Sequence, residues 1–290
     1  MTSTPTTSTP TFIQFPAPAK LNLFLHVTGR RPDGYHLLQT AFQLIDRCDT
    51  LSVAIRDDGI IERHNDIPGV PAESDLIVRA ARLLQQHSGS TAGATLHLDK
   101  QLPMGGGLGG GSSDAATTLI ALNHLWKTGL NRQELMQLGL QLGADVPFFI
   151  FGQNAFAEGI GEELHAINTP DRWFIVIEPG VQVPTPAIFS AKELTRDSKP
   201  VRIADFSSTA ETFWKNDLQT VACALFPEVG ESVKWLSQFG NAKMTGSGAC
   251  VFCAFNQESA ADAVLEKIPD RWKSWKAKAL SRHPLADMLQ

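Results

Sequence analysis

The segment PAKLNLFLHV, residues 18–27, alternates between two sets of side chains. One face would carry Leu21, Leu23, Leu25 and Val27, and the other Lys20, Asn22, Phe24 and His26. A period of two predicts a half-buried strand. The apolar runs LSVAI, ATLHLDKQL and WFIVIEPG predict three further strands.

Apolar residues recur at helical spacing in SDLIVRAARLLQQH, which opens with the capping candidate Ser74. The same spacing predicts helices in SDAATTLIALNHLW, NRQELMQLGLQLG, ESAADAVLEKI and, around a break at Pro227, NDLQTVACALFPEVGESVKWLSQF. ADVPFFIFG predicts a turn into a strand, and AKMTGSGACVFCAF predicts a glycine turn that leads into another strand. Because strands and helices mix without strict alternation, the pattern favours an α+β fold over a doubly wound sheet.

The composition of the 290-residue chain is typical of a soluble globular protein, with 43% hydrophobic and 19% charged residues. A formal net charge of -5 argues against a general nucleic-acid binder. No apolar run approaches the roughly 20 residues that span a bilayer. We therefore expect neither a nucleic acid nor a membrane as partner. Residues 1–11, MTSTPTTSTPT, lack the features of a signal peptide and predict a short disordered tail.

The cysteines indicate a reducing compartment. A disulfide framework is not expected from four cysteines in a chain of this length, and we therefore predict a cytoplasmic location. Cys250 and Cys253 form a C-x-x-C pair. Residues three apart on a strand point to opposite faces, and no second pair completes a zinc site. We interpret the pair as structural.

The stretch KQLPMGGGLGGGSSDAATTL, residues 100–119, contains six glycines within seven positions. It is not a P-loop, because Gly111 stands where that motif has its lysine. Gly105, Gly107 and Gly110 match the dinucleotide fingerprint, but polar residues and Pro103 separate them from the preceding strand. A plain glycine-rich hairpin is a further alternative. The interpretation we favour is a loop that binds phosphates through backbone N–H groups at a helix start, with Ser112 or Ser113 as the cap.

The segment PMGGGLGGGSSDAATTL resembles the phosphate-binding motif of the galactokinase, homoserine kinase, mevalonate kinase and phosphomevalonate kinase superfamily. Six other segments occur in order and resemble superfamily members that phosphorylate an alcohol linked to cytidine diphosphate in the non-mevalonate isoprenoid pathway: PAKLNLFLHV, RPDGYHLLQT, LGADVPFFI, FAEGIGEEL, PTPAIF and MTGSGACVF. The resemblance implies a two-domain small-molecule kinase fold, with the ATP and substrate sites in the cleft between the domains. We expect an ATP-binding and catalytic domain at 12–160 and a substrate domain at 161–290.

The resemblance also implies which residues bind ATP, the phosphoryl donor: Lys100, Pro103, Met104, Gly105, Gly106, Gly107, Leu108, Gly109, Gly110, Gly111, Ser112 and Ser113. Phosphoryl transfer needs the phosphate charge to be neutralised. Mg²⁺ is therefore expected, with the hydroxyl of Ser112 or of Ser113 as a ligand. The sequence does not decide whether Asp75, in SDLI, contacts the nucleotide.

Two charged residues are the implied catalytic pair. By resemblance, Asp145 accepts the proton of the substrate hydroxyl, and Lys20 pairs with Asp145 and stabilises the reacting oxygen. Because a neighbouring cation favours the ionised carboxylate, Asp145 would be a weak base that mainly positions the hydroxyl. Without the resemblance, Asp145 would be read as a local turn cap and Lys20 as a solvated strand residue.

The resemblance further implies the substrate contacts. Tyr35 and Phe189 would sandwich the cytosine ring, and His36 would hydrogen-bond to it. Asn22, Gly246 and Gly248 would complete this site. Three rival interpretations remain: a sister kinase that acts on homoserine, mevalonate or another small alcohol, a nucleotide-binding regulator without catalysis, and, less favoured, a nicotinamide enzyme. We expect a monomer or a weak homodimer.

Overall fold

A computed structural model describes residues 11–203 and 214–289 of the chain. The predicted N-terminal tail therefore lies outside the described residues, apart from its last residue. The strands of the described part are β1 (Ile13–Arg30), β2 (His36–Arg56), β3 (Ile61–Arg63), β4 (Gly93–Asp99), β5 (Ala155–Glu158), β6 (Glu163–Ala166), β7 (Trp173–Glu178), β8 (Lys243–Met244), β9 (Val251–Phe255) and β10 (Lys273–Leu280). The helices are α1 (Leu76–Ser88), α2 (Gly110–Trp126), α3 (Arg132–Leu140), α4 (Val146–Phe151), α5 (Thr185–Ser190), α6 (Gln219–Leu225), α7 (Pro227–Leu236) and α8 (Glu258–Leu265).

The strands join into one sheet in the order β3-β4-β2-β10-β7-β9-β8. The long strand β2 is its hub, because it also pairs antiparallel with β1 and with β5, which in turn pairs with β6. The pair β3 and β4 is parallel, and the other pairs are antiparallel. Strand β10 connects the two halves of the sheet, since it pairs with β2 at one end and with β7 along its length. The predicted α+β class is confirmed.

Strand β1 is buried on both faces, so the prediction of a half-buried strand was wrong. Leu21 and Leu23 pack into an apolar cluster with side chains of β7 and β9. Lys20 and Asn22, on the other face, are each 3% exposed. A strand whose polar side chains are covered as fully as its apolar ones must satisfy those polar groups internally.

Two local predictions were wrong for reasons of capping and proline geometry. The segment ADVPFFIFG forms helix α4 instead of a strand. Pro147 suits the first turn of a helix, where its missing N–H is not needed, and the apolar residues that follow are buried. Helix α1 is capped by Asp75, whose carboxylate accepts from Ile77 N at 3.1 Å, whereas the Ser74 hydroxyl donates to Pro71 O.

The other predicted helices and strands are confirmed, including the break at Pro227 between α6 and α7. Strand β10, KSWKAKAL, was missed because three lysines interrupt its apolar positions. The interpretation of the C-x-x-C pair is confirmed, since Cys250 packs in one apolar cluster and Cys253 in another. No helix in the described part of the chain is both long and apolar enough to cross a membrane. The domain boundary near residue 160 stays a prediction.

Candidate active site

A cavity of about 620 Å³ opens between the two halves of the chain. One wall is the glycine loop that precedes α2, and the turn at Gly246–Gly248 lies against this loop. Of the residues predicted to bind ligands, these line the cavity: Lys20, Asn22, Lys100, Pro103, Met104, Gly105, Gly106, Gly107, Leu108, Gly109, Gly110, Gly111, Ser112, Asp145, Phe189, Gly246 and Gly248. The structure thus brings together residues that are up to 228 positions apart, from Lys20 to Gly248.

The glycine loop ends in a helix whose first turn is free to bind an anion. Helix α2 begins at Gly110 with Gly109 as its N-cap, and no side chain caps it, so the predicted serine cap was wrong. The first intrahelical bond runs from Ser113 N to Gly109 O at 2.8 Å. The N–H groups of residues 110–112 therefore have no partner within the helix. Together with the positive end of the helix dipole, they form an anion site at the cavity wall.

The loop needs glycine for two separate reasons. Gly105, Gly107 and Gly109 have φ values of 69°, 75° and 72°, in the left-handed region. At Gly107, a Cβ atom would also lie 2.1 Å from the carbonyl oxygen of Thr245. The backbone of the C-terminal half packs directly on the loop here, and Cys250 N donates to Gly106 O at 3.1 Å.

Lys20 is a buried cation at the cavity wall. Its Nζ donates to Asn22 Oδ1 at 2.6 Å and to Gly107 O at 2.9 Å, and it lies 3.5 Å from Asp145 Oδ2. Burial lowers the pKa of Lys20, and the neighbouring Asp145 carboxylate opposes this effect. The two predicted catalytic residues are therefore adjacent, and Lys20 is tied to the phosphate loop.

Asp145 is the N-cap residue of α4, yet its side chain makes no cap hydrogen bond within the described structure. The carboxylate is 34% exposed and lines the cavity. The interpretation of Asp145 as a local turn cap is therefore wrong.

The two serines at the start of α2 have different surroundings. Ser112 lines the cavity, whereas the Ser113 hydroxyl is buried and finds no partner among the described residues.

Two threonines that the sequence did not single out hold Asn22 in place. Thr245 Oγ1 accepts from Asn22 N at 3.0 Å and donates to Gly107 O at 3.2 Å. Thr40 Oγ1 accepts from Asn22 Nδ2 at 2.9 Å and donates to Phe24 O. The only sequence signal for Thr245 was its position next to Gly246 in MTGSG.

The sequence did not indicate the partners of Lys100. Its side chain joins two buried carboxylates next to the glycine loop. Its Nζ donates to Asp49 Oδ2 at 2.5 Å and to Asp114 Oδ2 at 2.8 Å. Burial is the main cause that raises the pKa of Asp114, to about 8, and Asp49 adds to it while Lys100 opposes it. Burial lowers the pKa of Lys100, but the two carboxylates outweigh this effect and the pKa lies above its usual value. Asp75 lines the cavity and pairs with Arg63 at 2.7 Å.

The predicted base contacts are only partly assembled. The rings of His36 and Phe189 lie 4.9 Å apart at 36°. Arg196, which the sequence did not indicate, donates from Nε to His36 Nε2 at 3.1 Å. Tyr35 is 60% exposed, and neither Tyr35 nor His36 lines the cavity itself.

Comparison with known proteins gives the family. The model of the GHMP kinases N terminal domain matches residues 75–153, and that of the GHMP kinases C terminal region matches residues 174–274. The 4-diphosphocytidyl-2-C-methyl-D-erythritol kinase of Janthinobacterium sp. (strain Marseille) is 69% identical over 280 residues, covering 95% of this chain and 97% of that protein. Its counterpart in Herminiimonas arsenicoxydans is also 69% identical, over 93% of this chain and 96% of that protein.

Solved structures agree. A crystal structure of 4-(cytidine 5'-diphospho)-2C-methyl-D-erythritol kinase has a TM-score of 0.81 and 33% identity, covering 92% of this chain and 99% of that one. The homoserine kinase from Cytophaga hutchinsonii has a TM-score of 0.71 at 15% identity, covering 97% and 98% of the two chains, and therefore shares the fold. The chain is an ATP-dependent phosphotransferase that belongs to the 4-diphosphocytidyl-2-C-methyl-D-erythritol kinase family of the GHMP kinases.

Proposed function

We propose that this protein transfers the γ-phosphoryl group of ATP to the 2-hydroxyl of 4-diphosphocytidyl-2-C-methyl-D-erythritol, in the non-mevalonate route to isoprenoid precursors. The observation that carries the proposed chemistry is the 3.5 Å pair of Lys20 Nζ and Asp145 Oδ2 beside the phosphate loop. The names of the relatives support the choice of substrate. The free cysteines of the described structure are consistent with action in the cytoplasm. We also propose that the protein is a monomer or a weak homodimer. Its two domains would meet near residue 160.

In the proposed mechanism, Asp145 positions the substrate hydroxyl and accepts its proton as the new oxygen–phosphorus bond forms and ADP leaves. The Asp145 carboxylate is available for this role because it makes no cap bond within the described structure. Lys20 stabilises the negative charge on the reacting oxygen. Its hydrogen bonds to Asn22 and Gly107 hold the ammonium group in place before the substrate arrives.

The phosphates of ATP bind to the N–H groups at the start of α2 and to the loop from Pro103 to Ser113. Lys100 lines the same cavity wall, and we retain it as an ATP contact, with its ammonium charge balanced by Asp49 and Asp114. No cluster of three or more histidine, cysteine or acidic residues for a metal is found within residues 11–203 and 214–289. The place of Ser112 in the cavity lining instead fits Mg²⁺ held mainly by phosphates and water. Mg²⁺, when bound, neutralises phosphate charge, and we assign Ser112 rather than Ser113 as its hydroxyl ligand.

Phe189, at the cavity wall, provides an aromatic face for the cytosine ring, and His36 lies against Phe189. Tyr35 would complete the sandwich from the exposed turn. Asn22, Gly246 and Gly248 would contact the rest of the substrate. Tyr35 is 60% exposed, so its ring is accessible to a base that enters from solvent.

The test is a substrate panel. The purified protein is incubated with Mg-ATP and, separately, the diphosphocytidyl substrate, mevalonate or homoserine, and ADP release is measured. We expect turnover with the first alcohol, and phosphorus NMR should show a new phosphomonoester on its 2-hydroxyl. Turnover with mevalonate or homoserine instead would identify a sister kinase, and no ADP with any alcohol would favour the non-catalytic regulator.

The catalytic pair is tested by Asp145→Asn and Lys20→Met. Each should lower kcat by about a thousandfold while the affinity for ATP stays within about threefold. Asp287→Asn and Lys234→Met are matched controls on the exposed surface, and both should keep normal turnover. Near-normal kcat in Asp145→Asn or Lys20→Met would overturn the assignment.

A further inference from the structure

Arg196 is anchored so that it meets one nitrogen of His36. Its Nη2 donates to Phe189 O at 3.0 Å and to Ala191 O at 2.7 Å, and its Nη1 donates to Leu194 O at 3.0 Å. Its Nε donates to His36 Nε2 at 3.1 Å. A guanidinium group has donors and no acceptor. His36 Nε2 must therefore accept this bond, and the proton of the neutral imidazole must be on Nδ1.

The charges around His36 keep the ring neutral. Burial lowers the pKa of His36, and the positive charges of Arg196 and Arg30 lower it further. Arg196 follows α5, and Arg30 ends β1. These are the charged groups that act on the ring within the described residues. Of the His36 side chain, only Nε2 has a hydrogen bond in the described structure, so Nδ1–H has no partner there, and the ring lies beside Phe189 of the cavity wall.

We propose that Arg196 is a positioning residue that fixes His36 as the Nδ1–H tautomer, so that the ring beside Phe189 offers one N–H donor to the edge of the substrate's pyrimidine base. This inference rests on the proposed function. Cytosine presents a hydrogen-bond acceptor at N3, whereas uracil presents an N–H donor there. A ring locked as a donor therefore favours a cytidine diphosphate group over its uridine analogue, because two donors cannot pair.

The first experiment determines the tautomer without substrate. The wild-type protein, labelled with ¹⁵N-histidine, is measured by NMR, with His36 assigned through a His36→Gln variant. We expect a protonated Nδ1 and an unprotonated Nε2 in wild type. In Arg196→Met, which loses the guanidinium donor, the proton should move mainly to Nε2, the nitrogen that free imidazole side chains prefer. A wild-type ring protonated on Nε2 would overturn the proposal.

The second experiment uses kinetics. Arg196→Met should raise KM for the cytidine substrate about tenfold near pH 8 and leave KM for ATP within about twofold. As the pH falls through the pKa of His36, protonation restores the Nδ1–H donor, so KM of the variant should fall again. A purely structural role of Arg196 would give no such recovery, and a KM independent of pH in this variant would refute the proposal. In Arg196→Met, the ratio of kcat/KM for the cytidine substrate to kcat/KM for the uridine analogue should also decrease.

Arg30→Met is the matched control, since it removes the second positive charge and leaves the bond from Arg196 to His36 intact. Its His36 should keep the Nδ1–H tautomer, and its KM should show no recovery at low pH. If wild type does not phosphorylate the cytidine substrate at all, the proposed function fails. The NMR experiment then still decides whether Arg196 sets the tautomer.

Discussion

Replacing Gly107 by alanine tests whether the glycine loop is built by contact with the C-terminal half. The new Cβ would lie 2.1 Å from Thr245 O and 2.9 Å from Thr245 C, both backbone atoms. A matched control is available in the same loop. Gly105 has a similar φ of 69°, but a Cβ there would meet no described atom within 4 Å. The two variants thus share the left-handed strain and differ in the clash.

The expected magnitudes follow from these contacts. The left-handed conformation alone should make Gly105→Ala cost about 1 kcal/mol in the free energy of unfolding. Gly107→Ala must in addition separate two backbone segments by about 1 Å. That movement would weaken the bonds from Ala249 N to Gly105 O, from Cys250 N to Gly106 O and from Thr245 Oγ1 to Gly107 O. At about 1 kcal/mol for each bond, the total loss should be about 3 to 5 kcal/mol.

The assay is urea unfolding of the ligand-free protein, so that a clash with bound ATP does not enter. The kcat/KM for ATP is measured in parallel, and Gly107→Ala should lose about a hundredfold because Lys20 Nζ is bonded to Gly107 O. Equal losses of unfolding free energy in the two variants, within about 0.5 kcal/mol, would refute the reasoning. Such a result would mean that the loop adapts without disturbing its neighbour.

Three further outcomes are expected. Thr245→Val should lower the free energy of unfolding by about 1–3 kcal/mol, because the buried N–H of Asn22 loses its acceptor. The control Thr118→Val removes a hydrogen bond to a helix carbonyl and should lower the free energy of unfolding by less. The pKa of Asp114 is raised to about 8 in the folded protein, so its protonated carboxyl group stabilises the fold at low pH. This stability is lost as the pH rises towards 8. Urea midpoints of wild type should therefore fall between about pH 5 and about pH 8, and Asp114→Asn should flatten this dependence; an unchanged slope would contradict the assigned pKa. Tyr35→Ala should raise KM for the cytidine substrate far more than KM for ATP, and equal rises would argue against stacking.

Local pattern was sufficient for several elements because their signals lie within a few residues. Helix α2 and the break at Pro227 followed from apolar spacing and proline geometry. The start of α4 could not be predicted in this way, because PFFIF has the apolar run of a buried strand. Only the placement of Pro147 at the helix start distinguishes a helix from a strand here. Strand β10 was missed because its lysines bind partners on other elements, such as Asp262 for Lys276.

Taken by itself, the sequence determined the α+β class, the glycine loop and, through the resemblance, the candidate pair Lys20 and Asp145. The tertiary structure alone decided that this pair lies 3.5 Å apart, that Thr245 supports it, and that Arg196 meets His36. The physical reason is distance along the chain. These contacts join residues more than a hundred positions apart, and hydrogen bonds of this kind leave no periodicity in the sequence that holds them.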